Sequence, residues 1–297
     1  MKFDLIANKK YFLGFSLTLV LASWVLAIVL GLHPGIDLKG GTEWQVALNS
    51  TSTTEASVQA ALQQVSGNGD VSVKQSSDGS FLIRLPDISE ADHQKYADVL
   101  KGAFGGITEK SFSSIGPAIG TELRNKSIWA IVFVLVGISI FIAYAFRKVS
   151  EPVKSWKYGV VTLLTLVHDV SIPIGLLALL GYFGGVQIDT NSIVALLVVM
   201  GFSVHDTIVV FDRIRENLII NRGRKMDLGE IINYSVNETF ARSVNTTVTL
   251  ILVLLVLLFF GPASIFYFTL TMLVGTIFGT YSSIFVASPL LYLWQRR

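Results

Sequence analysis

Long stretches without charged residues restrict the fold of this chain more than any other feature of its sequence. Five stretches hold at most one Asp, Glu, Lys or Arg: residues 11–36, 127–146, 158–188, 190–211 and 243–295. A helix needs about 20 mainly apolar residues to cross a bilayer, so the last stretch is long enough for two helices. The pattern predicts an α-helical polytopic membrane protein with six transmembrane helices, near 11–31, 127–147, 158–182, 190–212, 243–260 and 265–293.

The composition excludes several other classes of protein. Hydrophobic residues make up 52% of the chain and charged residues 15%, whereas soluble domains carry about 25% charge. With 23 basic and 21 acidic residues, the net charge of +2 indicates no nucleic-acid partner. The absence of cysteine excludes disulfides, thiolate catalysis and cysteine-ligated metal sites.

Lysine and arginine are unevenly distributed between the two sides of the predicted helices. They cluster at both ends of the chain and in the segment 212–242, whereas the connections 184–189 and 261–264 contain none. The positive-inside rule therefore predicts cytoplasmic termini and an uncleaved N-terminal anchor helix in the bilayer. Apolar residues of the cytoplasmic segment predict a short amphipathic helix on the membrane surface: Ile231, Ile232 and Val236.

The region between the first two predicted helices has the periodicity of a folded external domain. Strand-like alternation occurs at 42–48, 71–75, 80–85 and 107–112, and helical patterns occur at 52–65 and 89–103. The order β-α-β-β-α-β predicts a ferredoxin-like α+β sandwich. The predicted division is a first helix at 1–31, an external domain at 32–125 and a five-helix bundle at 126–297, with 31–36 and 117–126 as tethers.

A glycine-rich motif follows the first predicted helix. Residues 35–42 read Gly-Ile-Asp-Leu-Lys-Gly-Gly-Thr, and the end of this run has some likeness to a phosphate-binding loop. The spacing of such a loop is absent, however, and a strand follows where a helix is needed. A tight turn that requires positive φ at Gly40 and Gly41 is the simpler explanation.

Three segments together resemble one protein family. The motif Gly35–Thr42 resembles the G-[IV]-D-[FL]-x-G-G-T signature of the SecD and SecF proteins of the bacterial Sec system. Residues 201–217, GFSVHDTIVVFDRIREN, resemble the fourth-helix signature of SecF proteins, and residues 237–243 fit the segment that leads into their fifth helix. The length, the helix count and the single large external domain agree with one SecF unit.

The resemblance implies a function in protein export. SecF proteins work with SecD beside the SecYEG channel in the bacterial cytoplasmic membrane, with YajC as a further partner. They draw unfolded preproteins outward by means of the proton motive force, and they share the membrane fold of the resistance-nodulation-division transporters. The implied protein is an accessory translocase subunit, not an enzyme, and needs no cofactor. Its family motif and hinge comprise Gly35, Asp37, Gly40, Gly41 and Thr42.

Two carboxylates lie within predicted spanning helices, Asp169 in the third and Asp206 in the fourth. A charge at the centre of such a helix costs roughly 2.5–3.5 kcal/mol, so an intramembrane carboxylate usually has a function. Burial also allows a carboxyl group to exchange protons near neutral pH. Asp206 has Ser203 and Thr207 near it and Arg213 about 10 Å further along the same face. Asp206 is therefore favoured as an ion carrier over a structural ion-pair member.

The other polar residues of these two helices leave more alternatives. Asp169 fits a relay and a structural hydrogen bond between helices equally well. Histidine is a residue type that can carry protons, so His168 and His205 are candidates, but neighbouring side chains on a helix point about 100° apart. Each histidine therefore need not share the cavity of its aspartate, and packing is favoured over proton transfer. No i,i+4 ligand pair indicates a metal site.

Arg242 lies at the start of the predicted fifth helix. By resemblance, it matches the arginine that partners the transport carboxylate in SecF proteins. A guanidinium close to Asp206 would favour the charged form of the carboxylate. Once the guanidinium moves away, the protonated form is no longer disfavoured. A positive-inside anchor is the alternative for Arg242.

Two other functions are weighed against the export subunit. Two aspartates on neighbouring spanning helices also occur in intramembrane aspartyl proteases, but Asp206 lacks the Gly-x-Gly-Asp context of that class. A small-molecule exporter of the same transporter superfamily would have two large external domains and about twice as many helices. The sequence does not decide between H+ and Na+ as the coupling ion.

Overall fold

The computed structural model describes residues 4–49, 53–66, 71–76, 78–147, 153–221 and 226–296. In chain order the elements are α1 (Lys9–Val29), α2 (Ile36–Lys39), β1 (Gly41–Leu48), α3 (Glu55–Ser66), β2 (Ser72–Gln75), β3 (Phe81–Leu85), α4 (Glu90–Phe104), β4 (Ile107–Ile115), α5 (Pro117–Ala145), α6 (Ser155–Gly184), α7 (Thr190–Ile220), α8 (Leu228–Phe260), α9 (Phe266–Ser282) and α10 (Ser288–Arg296). A π-helical turn, Ser283–Ala287, joins the last two helices. The predicted start of α3 at residue 52 lies outside the described residues.

The chain divides into two compact units. One unit comprises Pro34–Ile128, and the other comprises Met1–His33 together with Trp129–Arg297. The first contains the sheet, and the second contains the long apolar helices.

The α/β unit has the predicted ferredoxin-like topology. Its four strands follow the order β2-β3-β1-β4, and each neighbouring pair is antiparallel. On the central strand, Trp44 pairs with Ile83 of β3 and with Phe112 of β4. Alternate residues of β1 and β3 point towards α3 and α4, where Trp44, Ile83, Leu62 and Leu100 are fully buried. The period-two pattern of the sequence thus identifies the face that carries the core.

The glycine-rich motif forms a tight backbone crossing in this unit. Gly40 and Gly41 have φ values of +82° and +127°, which confirms the predicted turn. A Cβ on Gly40 would lie 2.7 Å from the Cα of Pro117, and one on Gly120 would lie 2.4 Å from the Gly40 nitrogen. The start of α5 therefore packs backbone against backbone on the motif. Thr42 is buried beside it, with its Oγ1 2.6 Å from the Ser114 Oγ.

The second spanning helix begins earlier than predicted, at Pro117 instead of near residue 127, so the expected tether 117–126 is helical. The helix α5 begins at Pro117 and continues without a break to Ala145. Proline is well suited to the first position of a helix, where its missing N–H has no partner to lose. An i,i+4 ion pair between Glu122 and Lys126, with a separation of 2.7 Å, supports the same segment.

The described residues include six helices long and apolar enough to cross a membrane, as predicted. They span Lys9–Val29, Pro117–Ala145, Ser155–Gly184, Thr190–Ile220, Leu228–Phe260 and Ala263–Gln295. The most apolar windows of α6, α7 and the last span are 56%, 50% and 61% buried, whereas those of α1, α5 and α8 are 11%, 6% and 17% buried. The buried interior of the bundle is therefore formed mainly by α6, α7 and the last span.

The prediction of a separate membrane-surface helix within 212–242 is wrong. The helix α7 continues to Ile220, and α8 begins at Leu228 and runs directly into its apolar span. Asp227 and Glu230 form a capping box that starts α8 at this point. The apolar residues assigned to a membrane-surface helix are buried in the helix bundle instead: Ile231, Ile232 and Val236.

We expect Gly120→Ala to loosen the α/β unit. The added Cβ would lie 2.4 Å from the Gly40 nitrogen and 2.9 Å from the Lys39 carbonyl carbon, and backbone atoms cannot rotate away. Overpacking of this kind costs about 1–3 kcal/mol. Amide hydrogen exchange in β1 and β4 of the full-length protein should therefore become faster.

Gly102→Ala is the matched control for this change. Its Cβ would meet nothing within 4 Å on α4. Alanine in place of glycine within a helix is favourable by roughly 0.5–1 kcal/mol. Equal exchange rates in the two variants would contradict the close backbone approach.

Candidate functional site

Asp206 is a buried carboxylate in the middle of α7. Asp206 is only 4% exposed, and the hydroxyls of Ser243 and Thr280 lie beside its carboxyl group. The Oδ2 of Asp206 has no hydrogen-bond partner of ordinary length and angle among the described residues, whereas the carboxyl group as a whole interacts with the hydroxyls of Ser243 and Thr280. The carboxylate therefore has a polar neighbourhood without being locked into a fixed pair.

Hydroxyl groups from three helices surround this position. The Oγ1 of Thr207 lies 2.8 Å from the Oγ of Ser283, and the Oγ1 of Thr247 lies 2.6 Å from that of Thr280. All four of these side chains are buried. Ser283 opens the π-helical turn after α9, a type of distortion that occurs often at functional sites.

Asp169 on α6 belongs to the same polar cluster. It is fully buried and accepts hydrogen bonds from the Ser203 Oγ and from the Nδ1 of His168, the latter at 2.8 Å. Ser203 lies on α7, three residues before Asp206, which is about one helical turn away. The structure thus brings both aspartates into one cluster and joins their helices through Ser203.

The two histidines lie in different surroundings. His168 is buried, and its ring hydrogen-bonds to the carboxyl group of the next residue, Asp169, although adjacent side chains on a helix point in different directions. The side chain of His205 is exposed, in contrast to that of His168. Among the described residues, no group of three or more His, Cys, Asp or Glu side chains is placed to hold a metal ion.

Arg213 lies in an open cleft of about 570 Å³ between α7 and α8. Its Nε and Nη2 donate to both carboxylate oxygens of Glu238, at 2.7 and 2.8 Å, and its Nη1 donates to Glu216 at 2.6 Å. Asn217 donates to the same Glu238 at 2.8 Å. Arg213 therefore links α7 to α8, and its guanidinium is occupied by these carboxylates.

Arg242 lines the same cleft but makes no ion pair within the described part of the chain. Its side chain is exposed. The groups beside the Asp206 carboxylate are Ser243, Thr280 and His205, so the structure does not place Arg242 against Asp206. The backbone nevertheless places Arg242 next to Ser243, which does face that carboxylate.

The floor of the cleft lies close to Asp206 along both helices. Val209 and Thr239 line the cleft. Val209 follows Asp206 by three residues on α7, and Thr239 precedes Ser243 by four on α8, so each step is about one helical turn. Asp206 therefore lies about one turn below an open space lined by charged residues.

Sequence reasoning missed the hydroxyl groups of α8 and the last span. The spacing of four residues in Thr239, Ser243 and Thr247 would have identified a polar stripe, and all three are buried on one side of α8. The family motif at Gly35–Thr42, by contrast, lies in the α/β unit as a turn, with Asp37 in the first turn of α2.

These observations define a class of protein. It is a multi-pass membrane protein with an α+β domain and a buried carboxylate site among its spanning helices. The family described as "Protein export membrane protein SecD/SecF, C-terminal" matches residues 95–297.

Similar proteins agree with this match over nearly the whole chain. A protein translocase subunit SecF from Thermobaculum terrenum is 40% identical, covering 99% of this chain and 94% of its own. A protein translocase subunit SecF from Anaerolinea thermophila is 34% identical, and the match covers 98% of this chain and 94% of that protein. The crystal structure of SecDF, a translocon-associated membrane protein from Thermus thermophilus, is 30% identical with a TM-score of 0.85. It is matched over 100% of this chain, which spans 39% of that longer chain. The chain therefore belongs to the SecD/SecF family, on the SecF side.

We expect Gly275→Ala to destabilise the bundle around the carboxylates. A Cβ at this position would lie 2.4 and 2.7 Å from the two methyl carbons of Val199 and 3.1 Å from its Cβ. Because valine is branched at Cβ, no rotamer removes all three contacts. The helices α7 and α9 must separate, at a cost of about 1–3 kcal/mol.

The measurement is the thermal unfolding of the purified protein in detergent. Gly201→Ala on α7 is the control, since its Cβ would meet nothing within 4 Å. We expect a lower midpoint for Gly275→Ala and little change for the control. Identical midpoints would show that α7 and α9 do not depend on this close contact.

Proposed function

We propose that this protein is an accessory subunit of the Sec translocase that couples an ion gradient to the outward movement of unfolded preproteins. Asp206 is the ion carrier, and the proton is the coupling ion. The observation that carries the proposal is a buried carboxylate with an unpartnered oxygen, about one turn below an open charged cleft.

The chemistry of the cluster suits a carboxyl group that changes its charge. Hydroxyl groups act as both donors and acceptors, so Ser243 and Thr280 can donate to the charged carboxylate and accept from its protonated form. A fixed partner such as lysine would favour the charged form alone. The unpartnered Oδ2 of Asp206 leaves one position where a proton can arrive or depart.

Arg242 supplies the switch in this proposal. Its exposed guanidinium has no ion pair within the described residues and shares the cleft that leads to Asp206. When it moves towards Asp206 it favours the charged form, and when it withdraws the carboxyl group can hold a proton. Arg213 does not fit this role because Glu238 and Glu216 hold it in place.

The proposed partner is a SecD-type subunit. The similar chain from Thermus thermophilus is a SecDF protein, and this chain spans 39% of it. The part of the SecDF chain that this protein does not match is the reason to propose a second subunit beside it. We place both subunits next to the SecYEG channel, with YajC as a further component. We place both termini in the cytoplasm of a bacterial cell, so the cleft is the cytoplasmic approach to Asp206 and the α/β unit meets the preprotein outside.

The geometry favours ion transfer over proteolysis. An aspartyl protease needs two carboxyl groups that share a proton and a water molecule. Here Asp169 is occupied by Ser203 and His168, and no hydrogen bond joins it to Asp206 within the described segments. Ser203 instead joins Asp169 to α7, about one helical turn from Asp206.

The first functional prediction concerns Asp206 itself. Asparagine has nearly the same shape as aspartate but cannot exchange a proton in the physiological range. We expect Asp206→Asn to fold and bind its SecD-type partner while the gradient-driven part of preprotein transport is lost. Asp206→Glu should retain part of that activity, since it keeps the titrating group. The measurement is transport into sealed vesicles that contain the whole assembly.

Controls separate the possible outcomes of this experiment. Asp98→Asn removes one carboxylate charge from an exposed position on α4 and should leave transport unchanged. A protonophore should abolish the gradient-driven part, and collapse by a sodium ionophore alone would identify Na+ as the coupling ion instead. Gradient-driven transport by Asp206→Asn would show that another group carries the ion. Loss of the partner together with transport would show a structural role.

The second functional prediction contrasts the two arginines of the cleft. Arg242→Ala should reduce gradient-driven transport without lowering the thermal midpoint, because Arg242 has no ion pair within the described residues. Arg213→Ala should lower the midpoint, since it leaves Glu238 and Glu216 without their shared guanidinium. Both quantities are measured on the same preparations. A lower midpoint for Arg242→Ala with unchanged transport would contradict the switch.

A further inference from the structure

The helix α1 presents only two buried residues to the rest of the bundle, Ser16 and Ser23. They lie seven residues apart and therefore share one face of the helix. Ser23 packs directly on α6, because a Cβ on Gly175 would lie 2.6 Å from its Cα. This contact fixes where the two helices meet.

The same contact places Ser16 level with His168. Both helices run outward in the proposed topology, so a step of seven residues back from Ser23 on α1 and from Gly175 on α6 reaches Ser16 and His168. Tyr281 of α9 confirms that these positions are close. Its ring lies 6.4 Å from that of His168, its hydroxyl donates to the Phe12 carbonyl oxygen at 3.2 Å, and Ser16 lies beside that hydroxyl.

Two polar atoms at this level have no hydrogen-bond partner of ordinary length and angle in the described parts of the chain, although the Tyr281 hydroxyl is close enough to interact with one of them, that of Ser16. They are the Nε2 of His168 and the Oγ of Ser16, in residues that are 5% and 4% exposed. Buried polar atoms in folded proteins are almost always hydrogen-bonded, to protein or to water. A buried water molecule satisfies both atoms if the space between them holds it, and Ser16, His168 and the Tyr281 hydroxyl supply the two or more polar partners that such a water needs.

We propose that Ser16 and His168 bind a buried water molecule at the junction of α1, α6 and α9, and that this water continues the proton path from Asp169 to α1. The site itself follows from the two buried unpartnered atoms. Its part in proton transfer rests on the function proposed above. His168 then has two tasks, with Nδ1 held by Asp169 and Nε2 held by the water.

The proton balance of this path is simple. When Asp169 is charged, His168 donates from Nδ1 and accepts from the water at Nε2. The water passes to Nε2 a proton and receives another from the α1 side, so it remains H2O. The proton that arrives at Nε2 is matched by one that leaves Nδ1 for Asp169, so the imidazole changes tautomer and keeps its charge. Ser203 then connects Asp169 with the turn of α7 that holds Asp206.

A high-resolution cryo-electron microscopy map of the assembly with its SecD-type partner tests the water site directly. We expect density for a water molecule between the Ser16 Oγ and the His168 Nε2, and its loss in Ser16→Ala. Ser23→Ala is the matched control, because it removes a hydroxyl from the same face of α1 two turns away. A direct contact between Ser16 and His168, or no density in the wild type, would overturn the site.

Two substitutions of His168 separate its two nitrogens in the vesicle transport assay. Asparagine places an amide near the position of Nδ1 and has nothing at Nε2, whereas glutamine does the reverse. If the path needs both nitrogens, both variants lose gradient-driven transport while the partner still co-purifies. Full transport by His168→Asn, with glutamine inactive, would reduce His168 to a positioning residue for Asp169 and overturn the path.

The same assay distinguishes failure of this inference from failure of the proposed function. Gradient-driven transport by Asp206→Asn would remove the carrier and hence the path, whatever the His168 variants do. Loss of transport in Asp206→Asn together with full transport in Ser16→Ala and His168→Asn would retain the carrier and remove only the path. The presence or absence of the water density is tested by the map alone and does not depend on either transport result.

Discussion

The desolvation of two carboxylates inside an apolar helix bundle is the constraint on which the rest of the structure depends. A buried charge is tolerated only where hydrogen-bond donors replace water. Ser203 and His168 fill this role for Asp169, and Ser243 with Thr280 lies beside Asp206. Hydroxyl groups are small, so the helices that contribute them can pack closely, and Gly275 of α9 meets Val199 of α7 for the same reason.

This constraint divides the helices of the bundle into two groups. The inner helices α6, α7 and α9 bury about half or more of their most apolar windows and hold the carboxylates and most of the hydroxyls. The helices α1, α5 and α8 are mainly exposed and apolar, and α8 buries its polar stripe only on the side that faces Asp206. Both sides of the bundle thus contribute to one site, through a small number of short side chains.

Much of the fold could be predicted from the sequence because its signals are local and long. Charge-free stretches predicted six spanning helices, and period-two alternation predicted the sheet order through a known motif. The ends of the helices were less predictable. The charged residues in 117–126 and 228–242 indicate segments outside the spanning helices, yet a first-position proline at Pro117 and a capping box at Asp227 begin those helices there.

The site was only partly predictable. Asp169 and Asp206 could be found because a carboxylate in an apolar helix is rare. Their connection through Ser203 and the contact between His168 and Asp169 depend on rotamers and on the packing of α6 against α7, which the sequence does not encode as a pattern. The pairing of Arg213 with Glu238 joins residues 25 apart on two helices and required the structure as well.

The central claim is that Asp206 changes its protonation state while Asp169 connects it to neighbouring groups. Infrared difference spectroscopy of the reconstituted assembly tests it most directly, because a protonated carboxyl group has a C=O stretching band that a carboxylate lacks. We expect Asp206→Asn to lose a component of the pH-dependent band that the wild type and Asp98→Asn both keep. A pH-dependent band of unchanged size in Asp206→Asn would contradict the account.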